Sequence, residues 1–309
     1  MKRNYLLLTC ILSFCSISYE LLFANTLAVM SGNVVLWHSL TIGIYIAGLG
    51  LGTFRSVDVI LPKKKLIRIE LLLCLIGALS VGSIYFITAI YETALSIAKA
   101  GYIADYSSYI TLKTQLRGLY FIICESLVFA VGYLSGFELP LILAMASSDL
   151  NQKTLDERNE NQFIAFNYFG TLIGTLVFAY LLIPIIDALY TSLVVASINL
   201  LACLWLVFSF RVQIEKRIKG TLILFSVLLF VSFFYAKTFE QIFLRVYYRA
   251  GTTFIDDDRH DWKTWWNKTM EKGDVVRIKT LYQYIDFFNV SWKGKEEFIL
   301  MINTCLLYT

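Results

Sequence analysis

Long apolar runs separated by short polar stretches dominate the chain up to residue 236. On a template of about 20 apolar residues per membrane crossing, the runs fall at Tyr5–Met30, Val34–Phe54, Leu66–Tyr91, Leu119–Ala146, Gln162–Leu189, Thr191–Phe210 and Thr221–Ala236. This pattern predicts an all-α polytopic membrane bundle of about seven helices, the last run being the shortest. Lys2 and Arg3 precede the first run, yet it outlasts a signal-peptide core and lacks a small-x-small cleavage site, so it reads as a retained span. From Val275 the texture changes to short apolar runs between turn-like residues: Ile278–Asn289, then Ser291 to Lys295, then Glu297–Asn303. Two strands around Lys293-Gly294-Lys295 are the natural reading. A lone hairpin is marginal in water, so the segment reads as the opening of a larger domain. The expected organisation is a membrane module over 1–237, a connecting segment over 238–274 and an incomplete β-containing start of a further domain over 275–309.

Composition strengthens this picture. The 309 residues are 58% hydrophobic and 16% charged, against about 25% charged in soluble domains, and mean hydropathy is +0.65. The lipid bilayer is therefore the expected partner. The net charge of +4 comes from clusters between apolar runs, a topology signal that gives no reason to expect nucleic acid. Lys2, Arg3, Arg55, Lys63, Lys64, Lys65, Arg68, Lys153, Arg158, Arg211, Lys216, Arg217 and Lys219 fall on one side of the seven runs, and only Lys99, Lys113 and Arg117 on the other. A multi-pass protein of the cell (inner) membrane follows, with its N-terminus cytoplasmic and its C-terminal tail outside.

Carboxyl groups within apolar runs are costly, and this makes them functional candidates. Glu20, Glu70, Glu125 and Glu138 have that placement, and Asn167, Asn25 and Asn199 are candidate hydrogen-bond partners. They read either as interhelical glue or as a substrate or proton path. Small residues four apart share a helix face and permit close backbone approach. Gly48 with Gly52, Gly132 with Gly136, and Gly170 with Gly174 have this spacing and predict three tightly packed faces. Trp262, Trp265 and Trp266 read equally as interfacial anchors or as the core of a small soluble unit.

Other candidate chemistry is weak. Five of the six cysteines lie in apolar runs and none has CxxC spacing, so neither a zinc site nor a disulfide frame is expected. Asp256, Asp257, Asp258, His260 and Asp261 form an acidic turn without EF-hand spacing, and no metal is assigned. His38 borders the second run as an interface residue. The sequence contains no nucleophilic triad, P-loop or G-x-G-x-x-G.

Several strings, in order, carry a family resemblance: Ser-Tyr-Glu-Leu-Leu at 18–22, Ser-Leu-Thr-Ile-Gly at 39–43 leading to Gly48-Leu-Gly-Leu-Gly52, Ile69-Glu70-Leu71, Gly136-Phe-Glu-Leu-Pro140, and Asn167-Tyr-Phe-Gly170 with Gly174. Residues 5–236 thereby resemble the membrane-anchored polyamine aminopropyltransferases, spermidine synthase-like proteins in which a multi-span module precedes the catalytic domain. Thr280-Leu-Tyr-Gln283 looks like the strand that opens that domain, and Leu300-Met-Ile-Asn303 like its next strand. The resemblance implies donor binding by Gln283, polyamine biosynthesis as the pathway, and decarboxylated S-adenosylmethionine as co-substrate of the complete family enzyme. No cofactor is expected in this chain itself. The family's Tyr-His-Glu segment, glycine-rich Rossmann loop and amine-orienting aspartates have no counterpart here, so the chain is expected to be truncated and inactive alone. The alternatives are a polyamine or cation transporter or binding module, and a scaffold for a separate catalytic partner or a homo-oligomer. The topology is testable with reporter fusions after Lys219 and after Gly273, which should report cytoplasmic and external positions respectively. A cytoplasmic signal from both would overturn it.

Overall fold

The computed structural model describes residues 2–31, 33–56, 61–101, 106–149, 157–210, 215–255, 262–271, 275–279, 284–292, 295–302 and 305–308. The helices are α1 (Lys2–Ser31), α2 (Val34–Arg55), α3 (Pro62–Gly101), α4 (Tyr106–Ser135), α5 (Glu138–Asp149), α6 (Glu157–Val177), a π-turn (Phe178–Leu182) running into α7 (Ile183–Ile185), α8 (Ala188–Ser209), α9 (Lys216–Ile255) and α10 (Trp262–Glu271). Four strands follow: β1 (Val276–Lys279), β2 (Tyr284–Trp292), β3 (Lys295–Ile302) and β4 (Cys305–Tyr308). Among the described residues, seven helical stretches are long and apolar enough to cross a membrane.

Three boundaries depart from the hydropathy reading. The run at Leu119–Ala146 is two helices, because the chain turns at Gly136 and Phe137. Phe137 O accepts the first bond of α5 from Leu141 N at 3.1 Å, which places Pro140 in the first turn, where its missing N–H is harmless. The run at Gln162–Leu189 ends earlier, at Ile185. Pro184 cannot donate back to the preceding turn, the helix widens into the π-turn before it, and the extended Asp187 (ψ 161°) starts α8. The short run at Thr221–Ala236 extends to Ile255 as a 40-residue helix, about 60 Å long at 1.5 Å per residue. Lys237, Glu240, Gln241, Leu244 and Arg245, residues of good helix propensity, continue α9 beyond the purely apolar part.

The chain divides into two compact units. The first, Met1–Asn25, Leu36–Val81 and Ser126–Phe234, is built on close backbone contacts. A Cβ placed on Gly48 would lie 2.6 Å from Phe129 O, and one on Gly132 would lie 2.4 Å from Tyr45 O. Gly52 and Gly136 face each other, with their would-be Cβ atoms about 3 Å from the opposite Cα, and Thr53 Oγ1 donates to Gly136 O at 2.9 Å. The second such face pairs α6 with α1: Gly170 meets Cys10 O, Gly174 meets Phe14 and Ile17, and Ser13 hydrogen-bonds Asn167, one turn before Gly170. At one end of this unit Lys63 donates to both oxygens of Asp149 (2.6 and 2.8 Å), Tyr5 donates to Asp149 at 2.5 Å and Lys2 to Asn159 at 2.5 Å. Lys65 sits over the Phe137 ring, 4.4 Å from its centre.

The second unit comprises Thr26–Val35, Gly82–Glu125 and Tyr235–Thr309. Its four strands form an antiparallel sheet in sequence order. The hairpin expected around Lys293–Lys295 is present as the β2–β3 pairing, with Trp292 opposite Lys295, but the single strand expected at Ile278–Asn289 is two. Lys279 pairs with Tyr284, so the chain reverses between them. This register sets Arg277 directly opposite Asp286, and the guanidinium binds that carboxylate in two-pronged fashion, Nε to Oδ1 at 2.7 Å and Nη2 to Oδ2 at 2.8 Å. Glu240 of α9 accepts from Arg277 Nη1 at 3.3 Å, and Tyr248 of α9 donates to Asp286 at 2.5 Å. Burial alone would lower the pKa of the guanidinium, but its hydrogen bonds to Asp286 and the nearby negative charge hold it well above its ordinary value. The Phe288 ring stacks on Tyr248 with centres 4.4 Å apart, and Gln241 donates to Val275 O at 3.1 Å.

Two predictions arise from these contacts. Gly52→Ala should lower the melting temperature by several degrees in detergent, because the backbone of Tyr133 and Gly136 occupies the space of the new methyl, whereas Gly43→Ala, with open space around it, should be neutral or slightly stabilising. Arg277→Met should cost about 3–5 kcal/mol by leaving Asp286 and Glu240 buried without their cation. Limited proteolysis checks this: cleavage after residue 255 should accelerate while α1 to α8 stay protected.

Candidate functional site

The carboxyls of the first unit cluster where apolar helices surround them. Glu70 on α3 and Glu138 at the start of α5 are 1% and 7% exposed, with Glu70 close enough for its charge to act on Glu138. Their placement follows from local structure. Glu70 is on the inward face of α3 beside the buried Leu66, Ile67, Leu73 and Cys74, and the turn at Gly136 and Phe137 brings Glu138 inward as the first residue of a new helix. The amide of Asn199 on α8 lies beside Glu70 and Tyr19, and Ser135 lies beside Glu138 and Tyr45. All of these contacts fall short of hydrogen-bond geometry: both oxygens of Glu70, the hydroxyls of Tyr19 and Ser135 and Oδ1 of Asn199 are buried without a hydrogen-bond partner among the described residues. Tyr19 is wedged against Gly77, where any Cβ would meet its ring. Cys15, Cys74 and Cys203 lie near Glu70, and the thiols of Cys15 and Cys74 lean on the carbonyls of Val195 and Ala196. Among the described residues, no Lys, Arg or His pairs with Glu70 or Glu138, and no group of three or more His, Cys, Asp or Glu is arranged to hold a metal ion.

The other sequence candidates are dispersed. Glu20 is 8% exposed and shares with Glu138 the neighbourhood of Tyr45, whose hydroxyl lies 2.6 Å from Ser16 Oγ. Asn167 is spent on Ser13, and Asn25 is half-buried. Glu125 is buried in the second unit. His38 is half-buried. Gln283, and the acidic run from Asp256 to Asp261, lie outside the described residues. Trp265 is buried and Trp262 is exposed; their rings are 4.6 Å apart, and with Phe86, Ile90 and Phe239 they line an apolar cavity of about 640 Å³. Tyr19 and Ser135 escape sequence reading because an apolar run with one hydroxyl looks like any other. Their only signal is adjacency to Glu20 and to the Gly136 turn.

Comparison with known proteins supplies a context for this site. The polyamine aminopropyltransferase of Oceanobacillus iheyensis is 29% identical over 241 residues, covering 75% of this chain and 41% of the relative. That of Leptospira interrogans is 24% identical over 252 residues, covering 80% and 43%. Polyamine aminopropyltransferase 2 of Ralstonia nicotianae is 22% identical over 224 residues, covering 69% and 37%. The chain spans about four tenths of the length of these curated relatives. No family model matches the chain, and no solved structure matches it. Six curated similarities that all carry one name support a spermidine synthase-like relationship for this chain.

Proposed function

We propose that this chain is the membrane-integrated module of a polyamine aminopropyltransferase-like protein, embedded in the cell membrane with its N-terminus cytoplasmic. The observation that carries the reading is a 241-residue alignment with such an enzyme that covers 75% of the chain, in a chain whose helices include seven of membrane-crossing length. The basic residues support the orientation. Lys63 and Tyr5 both bind Asp149, and Lys2 separately binds Asn159, at one end of the first unit, and this end carries the positive excess that marks a cytoplasmic face.

Aminopropyl transfer requires the donor's sulfonium carbon held beside an acceptor nitrogen and an acidic group to take that nitrogen's proton. Residues 276–308 supply four strands, and by the family resemblance Gln283 supplies one donor-side hydrogen bond. The glycine-rich loop and the amine-orienting aspartates are not among the 309 residues, so the chemistry falls to a nucleoside-binding domain outside them, with decarboxylated S-adenosylmethionine as its co-substrate. In a spermidine synthase-null strain, these 309 residues should reach the membrane fraction yet leave spermidine undetectable by chromatography. Spermidine restored by them, and lost in Gln283→Ala, would refute this division of labour.

A further inference from the structure

Among the described residues, the Glu70 cluster is a set of buried oxygens without a paired Lys, Arg or His. Two carboxyls near each other in a low-dielectric interior cannot both remain ionised and uncompensated, because desolvating each charge costs several kcal/mol. A shared proton would relieve part of the charge, yet both oxygens of Glu70 and Oδ1 of Asn199 stay without a donor among the described residues even though the hydroxyls of Tyr19 and Ser135 could each supply one. The hydroxyls of Tyr19 and Ser135, also without partners, add two more lone-pair sites. A hard divalent ion is poorly served, since such ions take six or more oxygens, mostly from several carboxylates and carbonyls. The oxygens match a compact cation that carries several N–H donors. A primary ammonium has three, together with the single positive charge that Glu138, at the N-terminus of α5, and Glu70 would share.

We propose that Glu70 and Glu138, with Tyr19 and Asn199, form a binding site for the ammonium head of a primary amine inside the helical module. The thiols of Cys15, Cys74 and Cys203 form an apolar wall beside it, which strengthens a charge-assisted hydrogen bond by excluding water. The site stands apart from aminopropyl transfer, since none of its residues belongs to the strands at the C-terminus. It can be tested whether or not the relationship to those enzymes extends to activity.

The test uses the full 309-residue chain purified in detergent, with thermal unfolding followed at constant ionic strength and pH. Methylammonium should raise the melting temperature saturably. Tetramethylammonium, which has the charge but no N–H, and sodium should not. Glu70→Gln and Glu138→Gln should each weaken the apparent affinity for methylammonium at least about tenfold, the scale of a lost charge-assisted hydrogen bond, while Glu215→Gln, at an exposed position, should leave it unchanged. Should a glutamine variant fail to fold, Tyr19→Phe keeps both carboxyls and should still weaken binding several-fold. Equal stabilisation by all three cations, stabilisation by none, or full response to methylammonium in the variants would overturn the proposal.

Discussion

Close backbone approach between helices is the constraint on which the first unit depends. Where α2 meets α4, carbonyl oxygens occupy the positions that side chains on Gly48, Gly52, Gly132 and Gly136 would need. In an apolar surround, burial gives little preference for one helix neighbour over another, so dispersion and short polar contacts decide which faces meet. The glycine faces provide both. They bring main chains together, and they let Thr53 reach Gly136 O, just as Ser13 reaches Asn167, one turn before Gly170.

The carboxyl cluster inherits its geometry from that contact. Gly136, which follows α4 directly, is both the last close-approach residue of that face and the point where the helix stops, so the residue that follows the turn, Glu138, is delivered into the interior at a helix N-terminus. There the exposed N–H groups favour a negative charge. Glu70 needs no such turn, because the inward face of α3 carries it. Leaving carboxyls, an amide and two hydroxyls together without completed hydrogen bonds opposes stability, and a polar group retained against that cost is a reason to look for a ligand.

The second unit solves a different problem, that of fastening a small sheet to a helix. Four antiparallel strands expose two faces and two edges, and a sheet of this size has little core of its own. The Arg277, Asp286 and Glu240 network, closed by Tyr248, places charge at the join, where both carboxylates have buried partners. A bidentate guanidinium fixes orientation as well as distance, so the strands are held to α9 in one register.

The apolar runs alone determined that the chain makes about seven long helices with a β-containing end, since a helix buried on all sides must be hydrophobic along its length. The glycine spacings marked the faces that meet, because a residue without a side chain has few other reasons to recur every four positions. Glu70 and Glu138 were visible as costly residues, and the ordered strings around them already pointed to the aminopropyltransferase resemblance. Tertiary structure decided what lies beside them. Nothing in a run of leucines says that Tyr19 of the first helix, Ser135 of the fourth and Asn199 of the eighth converge, because helix rotation and crossing are set by packing against distant segments. The break at Gly136 and the extension of α9 to Ile255 were hidden for a related reason: hydropathy averages over a window, whereas one proline or one turn acts on single backbone bonds. Arg277 and Asp286 became partners only once the strand register set them opposite each other, and register depends on pairing across the sheet rather than on either strand alone.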